Sequence, residues 1–193
     1  MKLNFLHLAV LIAPLLSVSN HSYAASSTST GAMTATVSNT CSVPTGATLS
    51  FGSFNPLTQT SNVDVDISFT IQCTTGAVIT DIDLGNSLNT NSTTARKMKR
   101  DGSSTTCSAS QADPECLSYI LYIDSSRQVN WGSITSSNFS NYYSSSKRTG
   151  LGFGPSSALT FTVFGRIPTA SSNITNLTKA GTYSDSLTIT INY

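Results

Sequence analysis

An all-β sandwich is the fold that this sequence predicts, and three features of its 193 residues point there. Between 63 and 73 every odd position is apolar (Val63, Val65, Ile67, Phe69, Ile71, Cys73) and every even position is polar. A period of two marks a strand with one buried and one wet face. The alternation returns at the end of the sequence, where Leu187, Ile189, Ile191 and Tyr193 are separated by Thr188, Thr190 and Asn192. Finally, only 10 % of the residues are charged and the net charge is +1. Ser, Thr and Asn supply the polarity, as in extracellular β proteins with long loops, and the neutral balance gives no basis for nucleic-acid binding.

The first residues read as a secretory signal peptide over 1–24: Lys2 opens it, an apolar run follows over 3–16, and Ser22 and Ala24 set a cleavage site after Ala24. The run is shorter than the roughly 20 residues that cross a bilayer and is interrupted by Pro14, so no membrane insertion is expected. Cleavage would remove both histidines, His7 and His21. Without histidine there is no Ser-His-Asp or Cys-His site and no imidazole metal ligand. We therefore expect no enzyme, no cofactor and no metal.

Residues 25–40 form a small, uncharged segment in which Met33, Ala35 and Val37 alternate with Thr34 and Thr36. This is either a first strand of the sandwich or a strand that leaves to fill another molecule's groove. The main domain is expected over 41–193. It begins with Cys41, a turn at Pro44 and Gly46, and a short strand carrying Leu49 and Phe51. After the long strand to Cys73, the Thr75 and Gly76 turn leads to a strand with Val78, Ile82 and Leu84 inward. The cationic run from Arg96 to Arg100, before the Asp101 and Gly102 turn, reads as an exposed, basic sheet edge.

Four cysteines allow three pairings. In an exported chain they are expected as disulfides, Cys41 with Cys73 and Cys107 with Cys116, since the first two flank the first strand pair and the others share a loop. Residues 117–124 read as a central strand apolar on both faces, and Trp131 as a packing anchor. From 133 to 149 the Ser, Asn and Tyr content reads as an exposed loop, with Tyr142 and Tyr143 within it. Residues 159–165 give another strand that Pro168 closes off, and a loop with Asn173 and Asn176 leads to Gly181 and the terminal strand. Because the sequence stops on Tyr193, the partner of that last strand is expected to come from another molecule.

Taken in order, several phrases resemble the spore coat protein U domain family, which includes subunits of archaic chaperone-usher pili. They are Leu49 to Gly52 with Asn55 to Leu57, Ile71 to Thr74, Arg96 with Met98, Leu117 to Tyr122, Trp131 with Gly132, Phe164 to Pro168, and Gly181 to Asp185. The resemblance implies an immunoglobulin-like β-sandwich that is incomplete, missing its last strand. A periplasmic chaperone, and then at the outer-membrane usher the N-terminal segment of the next pilin subunit, would supply it. On that basis Met33, Ala35 and Val37 are the expected donor residues, and Leu187, Ile189, Ile191 and Tyr193 the expected acceptor groove. The implied function is a structural pilus (fimbrial) subunit, exported through the periplasm to the cell surface and supporting adhesion or biofilm formation, as a homopolymer or heteropolymer.

Two other readings stay in view. A carbohydrate- or surface-binding module would use Trp131, Tyr142 and Tyr143, and a spore or cell coat protein would assemble without an usher. A carboxylate-only enzyme ranks last, because Asp64 and Asp66 lie on the outward face of their strand.

Overall fold

The computed structural model describes residues 26–42, 48–53, 55–133, 136–152, 154, 156–169 and 179–193. The expected signal peptide, the Pro44 and Gly46 turn, and Asn173 and Asn176 lie outside them. The chain is nearly all β. Strands β1 (Val63–Ile71), β5 (Leu159–Ile167), β4 (Cys116–Tyr122), β3 (Arg96–Arg100) and β6 (Tyr183–Ser184) follow one another in a curled antiparallel sheet. Strands β2 (Asp81–Asp83) and β7 (Thr190–Asn192) make a separate two-stranded ladder. The architecture is that of an incomplete β-sandwich.

β1 and β5 carry the sheet. Their register runs from Val63 opposite Ile167 to Ile71 opposite Leu159, so the two apolar rows share one face. Phe69, Ile71, Phe161, Val163 and Ile167 bury there, with Phe69 and Phe161 stacked at 6.0 Å. On the outer face the even residues of β1 meet those of β5. Arg166 Nε and Nη2 donate to the two carboxylate oxygens of Asp64 at 2.7 and 2.8 Å, and Arg127 pairs with Asp66. The Arg166 hydrogen bond holds the Asp64 carboxyl below its usual range.

Several expectations change in three dimensions. The pattern past Gly76 breaks its frame: Ala77 and Ile79 are fully buried while Val78 is 39 % exposed and bridges to Thr149. The irregular residues Ile79 and Thr80 reset the parity, so that Ile82 and Leu84 turn inward again. Leu49 and Phe51 pack against the core without joining a strand. The segment from 133 to 149 is no plain loop. It holds two single-turn helices, α1 (Ser136–Phe139) and α2 (Ser145–Arg148), and delivers Phe139 and Tyr143 to the core. Tyr143 meets Phe161 edge-on at 4.9 Å and Phe139 lies 5.1 Å from Tyr143.

The basic run is also corrected. β3 lies between β4 and β6, not at an open edge, and Arg96 and Lys97 are 1 % and 4 % exposed. Lys97 Nζ donates to the Gln111 carbonyl in the loop stapled by Cys107 and Cys116, and burial pushes its ammonium pKa down. Lys97 is therefore not the exposed edge lysine that the sequence suggests.

At the far end of β3, Glu115 Oε2 accepts from Arg100 Nε at 2.5 Å and Oε1 accepts from Lys179 Nζ at 2.6 Å. These bonds, Arg100 first, bring its carboxyl down from the ordinary 4.5 to about 2. A folded-state value below the unfolded one adds stability above the unfolded value and loses it as pH falls toward the folded one. We expect Glu115→Gln to melt below the parent at pH 7. In a thermal denaturation series the gap should narrow as pH falls through 4.5 and close near pH 2. A gap that stays constant across the series would mean that the two ion pairs add nothing.

Candidate functional site

The inner face of the sheet is covered only in part. Leu49 and Phe51, and residues 183–187 with Ile189, border an open groove of about 1080 Å³ that reaches the sheet. Its floor comes from Ile67 and Phe69 of β1, Val163 of β5, Leu117 and Leu121 of β4, and Met98 of β3. Gly165 fits the Leu49 side in place: a Cβ there would lie 3.0 Å from the ends of both the Leu49 and Phe51 side chains, so glycine lets them settle against β5 without being pushed aside. Gly85 does similar work beside the other wall, where a Cβ would lie 2.8 Å from the Thr188 carbonyl oxygen.

That second wall has an unfilled edge. Tyr183 and Ser184 pair with β3, and Thr190 to Asn192 pair with β2. Leu187, Thr188 and Ile189, between these ladders, join neither of them. The main chain there makes no ladder bond to either strand, beside an apolar trough.

Of the residues expected to form an acceptor groove, Leu187 and Ile189 line the trough. Ile191 sits opposite Ile82 in the β2 and β7 ladder and packs on the core, and Tyr193 is 50 % exposed and outside the lining. The floor residues were visible in the sequence as inward strand positions, but not as lining an unroofed site. Residues 26–40 have no regular structure and are exposed throughout, with Met33 at 99 % and Val37 at 84 %. The structure pairs Cys41 with Cys73 and Cys107 with Cys116. The first bond lies directly after the exposed segment. Thr40 and Ser42 reinforce it, the Thr40 carbonyl accepting from Thr74 N at 2.9 Å and Ser42 N donating to Gln72 O at 2.7 Å.

One polar cluster interrupts the groove. The Tyr119 hydroxyl donates to Asp185 Oδ2 at 2.6 Å, and both residues are in the lining. Asp185 Oδ1 accepts from Leu88 N, Asn89 Nδ2 and Ser186 N, tying the start of the open edge to the loop after β2. Burial and the Asp185 bond push the Tyr119 hydroxyl pKa up. The aromatic residues of the binding-module reading are placed differently. Trp131 is 2 % and Tyr143 8 % exposed, both in the core, leaving only Tyr142 at the surface. Among the described residues no cluster of His, Cys, Asp or Glu could hold a metal, and no helix is long and apolar enough to cross a membrane.

The model of the Spore Coat Protein U domain matches residues 27–190, nearly the whole described chain. The chain belongs to the spore coat protein U domain family. A curated relative, Protein U of Myxococcus xanthus, is 31 % identical over 171 residues, which is 82 % of this chain and 80 % of Protein U. The spore coat protein U domain family is structural in character and includes both chaperone-usher pilus subunits and spore coat proteins. With two disulfides, membership points to an extracellular protein.

Proposed function

We propose that this protein is a structural subunit of a chaperone-usher pilus that polymerises by strand exchange. The groove of one copy takes the segment 26–40 of the next, with Met33, Ala35 and Val37 facing the floor. One observation carries the reading: an apolar trough of about 1080 Å³ runs beside an unpaired edge at Leu187 to Ile189, in a chain that also has an exposed segment alternating in period two. A strand laid there would gain a backbone ladder and bury apolar side chains together. Met and Val burial is worth roughly 1.5 to 3 kcal/mol each, and each ladder bond about 0.5 to 1.5 kcal/mol. A contact of this head-to-tail kind does not close on itself and so builds a filament.

On this reading a periplasmic chaperone covers the groove before assembly and an outer-membrane usher directs the exchange. The expected result is a detergent-resistant ladder on unboiled gels of protein co-expressed with such a pair, collapsing on boiling and absent from Met33→Asp with Val37→Asp. A wild-type monomer in both lanes, with chaperone and usher present, would falsify the pilus reading. The family's name favours a second reading, a coat protein that assembles through the same groove without an usher. Ladders that form equally well without chaperone and usher would select it.

A further inference from the structure

The ladder between β3 and β6 stops one pair short of where its register could take it. Arg100 stands opposite Tyr183 and Lys99 opposite Ser184, so Met98 with Asp185 and Lys97 with Ser186 come next. Asp101 N donates to Thr182 O at 2.9 Å, which places the hydrogen-bonded pairs of this antiparallel ladder at Asp101, Lys99 and Lys97. Lys97 and Ser186 are therefore the next two residues that would exchange main-chain bonds. They do not pair.

Each of the four main-chain groups of that pair has a substitute partner, from the loop after β2 or from Asp185. Lys97 N donates to Ser87 Oγ at 3.4 Å, and Lys97 O accepts from Asn89 Nδ2 at 2.9 Å and from Ser87 Oγ at 3.3 Å. Ser186 O accepts from Leu88 N at 3.3 Å, and Ser186 N donates to Asp185 Oδ1 at 2.9 Å. Leu88 N and Asn89 Nδ2 converge on that same carboxylate oxygen, each at 3.1 Å. The loop itself is braced, with Ser87 N donating to Ser92 O and Asn91 N to Ser87 O. Ser87 is fully buried, so water cannot replace its hydroxyl.

We propose that Ser87, Asn89 and Asp185 are the positioning residues of the acceptor edge. They occupy the main-chain groups that would let β6 zip onward along β3, and so hold residues 187–189 beside the trough. The occupant for which they hold it is the segment 26–40 of a second copy, which is uncharged and exposed throughout. None of the three has to touch that segment; they act through the main chain of the wall. Without them Lys97 and Ser186 would satisfy each other, Leu187 would follow toward Arg96, and the wall would leave the groove. The inference rests on the strand-exchange reading above.

The test uses the full chain with its own segment disabled by Met33→Asp and Val37→Asp, and a synthetic peptide of wild-type residues 26–40. Ser87→Ala with Asn89→Ala, added to that chain, should bind the peptide at least about tenfold more weakly. Trp131→Phe, a core change outside the groove lining, should bind it as the parent does. In the double variant a nuclear Overhauser contact between the Lys97 and Ser186 amide protons should appear that the parent lacks. Equal affinity in variant and parent, a loss that Trp131→Phe shares, or a folded double variant without that contact overturns the positioning role and leaves strand exchange standing. A peptide that does not bind the parent overturns both. In case the double variant fails to fold, Asp185→Asn and Asp185→Ala give a second comparison. Both remove the charge, but only asparagine keeps an acceptor for Leu88 N and Ser186 N, so it should bind at least about tenfold more tightly than the alanine variant. Equal binding by these two overturns the positioning role.

Discussion

Trp131→Ala is expected to cost about 3 to 5 kcal/mol, enough to lower the melting temperature by on the order of 10 °C in a domain of this size. The indole is 2 % exposed, and its Nε1 donates to the Ile82 carbonyl at 2.8 Å, fixing the loop after β4 to β2. It also lies 6.4 Å from the Tyr143 ring, the entry to the aromatic group of Phe139, Tyr143 and Phe161. Truncation opens a cavity and leaves the Ile82 carbonyl without its donor. Trp131→Phe separates the two effects: most of the ring volume stays, and the loss should fall to about 1 to 3 kcal/mol for the unsatisfied carbonyl. Urea denaturation of the three proteins checks this. A Trp131→Ala loss below about 1 kcal/mol would mean that the site collapses around the missing ring.

Replacing Cys41 and Cys73 together by serine is the other large effect, a loss of about 3 to 4 kcal/mol in the loop-entropy account for a separation of 32. The Cys107 and Cys116 bond closes a loop of separation 9 and should contribute about 2 to 3 kcal/mol. Cys73 is fully buried at the end of the inward row of β1, so two serines would also place hydroxyls in an apolar site. Denaturation of the two double variants, each against wild type, gives both values. If the short loop proves the more stabilising, the entropic account fails for this domain.

The inward rows of β1, β4 and β5 could be read directly, because a sheet with one buried face writes its register into the sequence as a period of two. At Ala77 to Leu84 the same logic misleads: the strand is only three residues long, and the irregular chain on its N-terminal side changes which parity faces in. Arg96 and Lys97 look like solvent-facing cations and are buried, since composition does not reveal that β6 and the loop over 103–115 close over β3. Phe139 and Tyr143 are single aromatics in a serine-rich stretch, and their burial depends on contacts with a strand some twenty residues away. The groove was the hardest part to read. Its floor has the pattern of any core, and only the arrangement of Leu49, Phe51 and residues 183–189 in space leaves that floor uncovered. Gly165, a glycine within a strand, was the available signal of a close approach there.

The disulfide behind the exposed segment has a mechanical meaning in a filament assembled as proposed. Each subunit would hang from its neighbour by residues 26–40, and tension on that tether would enter the domain at Cys41. The Cys41–Cys73 bond passes it straight to the end of the nine-residue β1, which is paired along its whole length with β5. The stretch from Cys41 to the start of β1, whose Leu49 and Phe51 pack on the core, is bypassed. In reduced protein the same tension would run through that stretch, and each subunit could pay out up to about 70 Å of chain between Cys41 and Val63 before β1 felt it. The bond thus sets how far a stretched fibre can lengthen at each link.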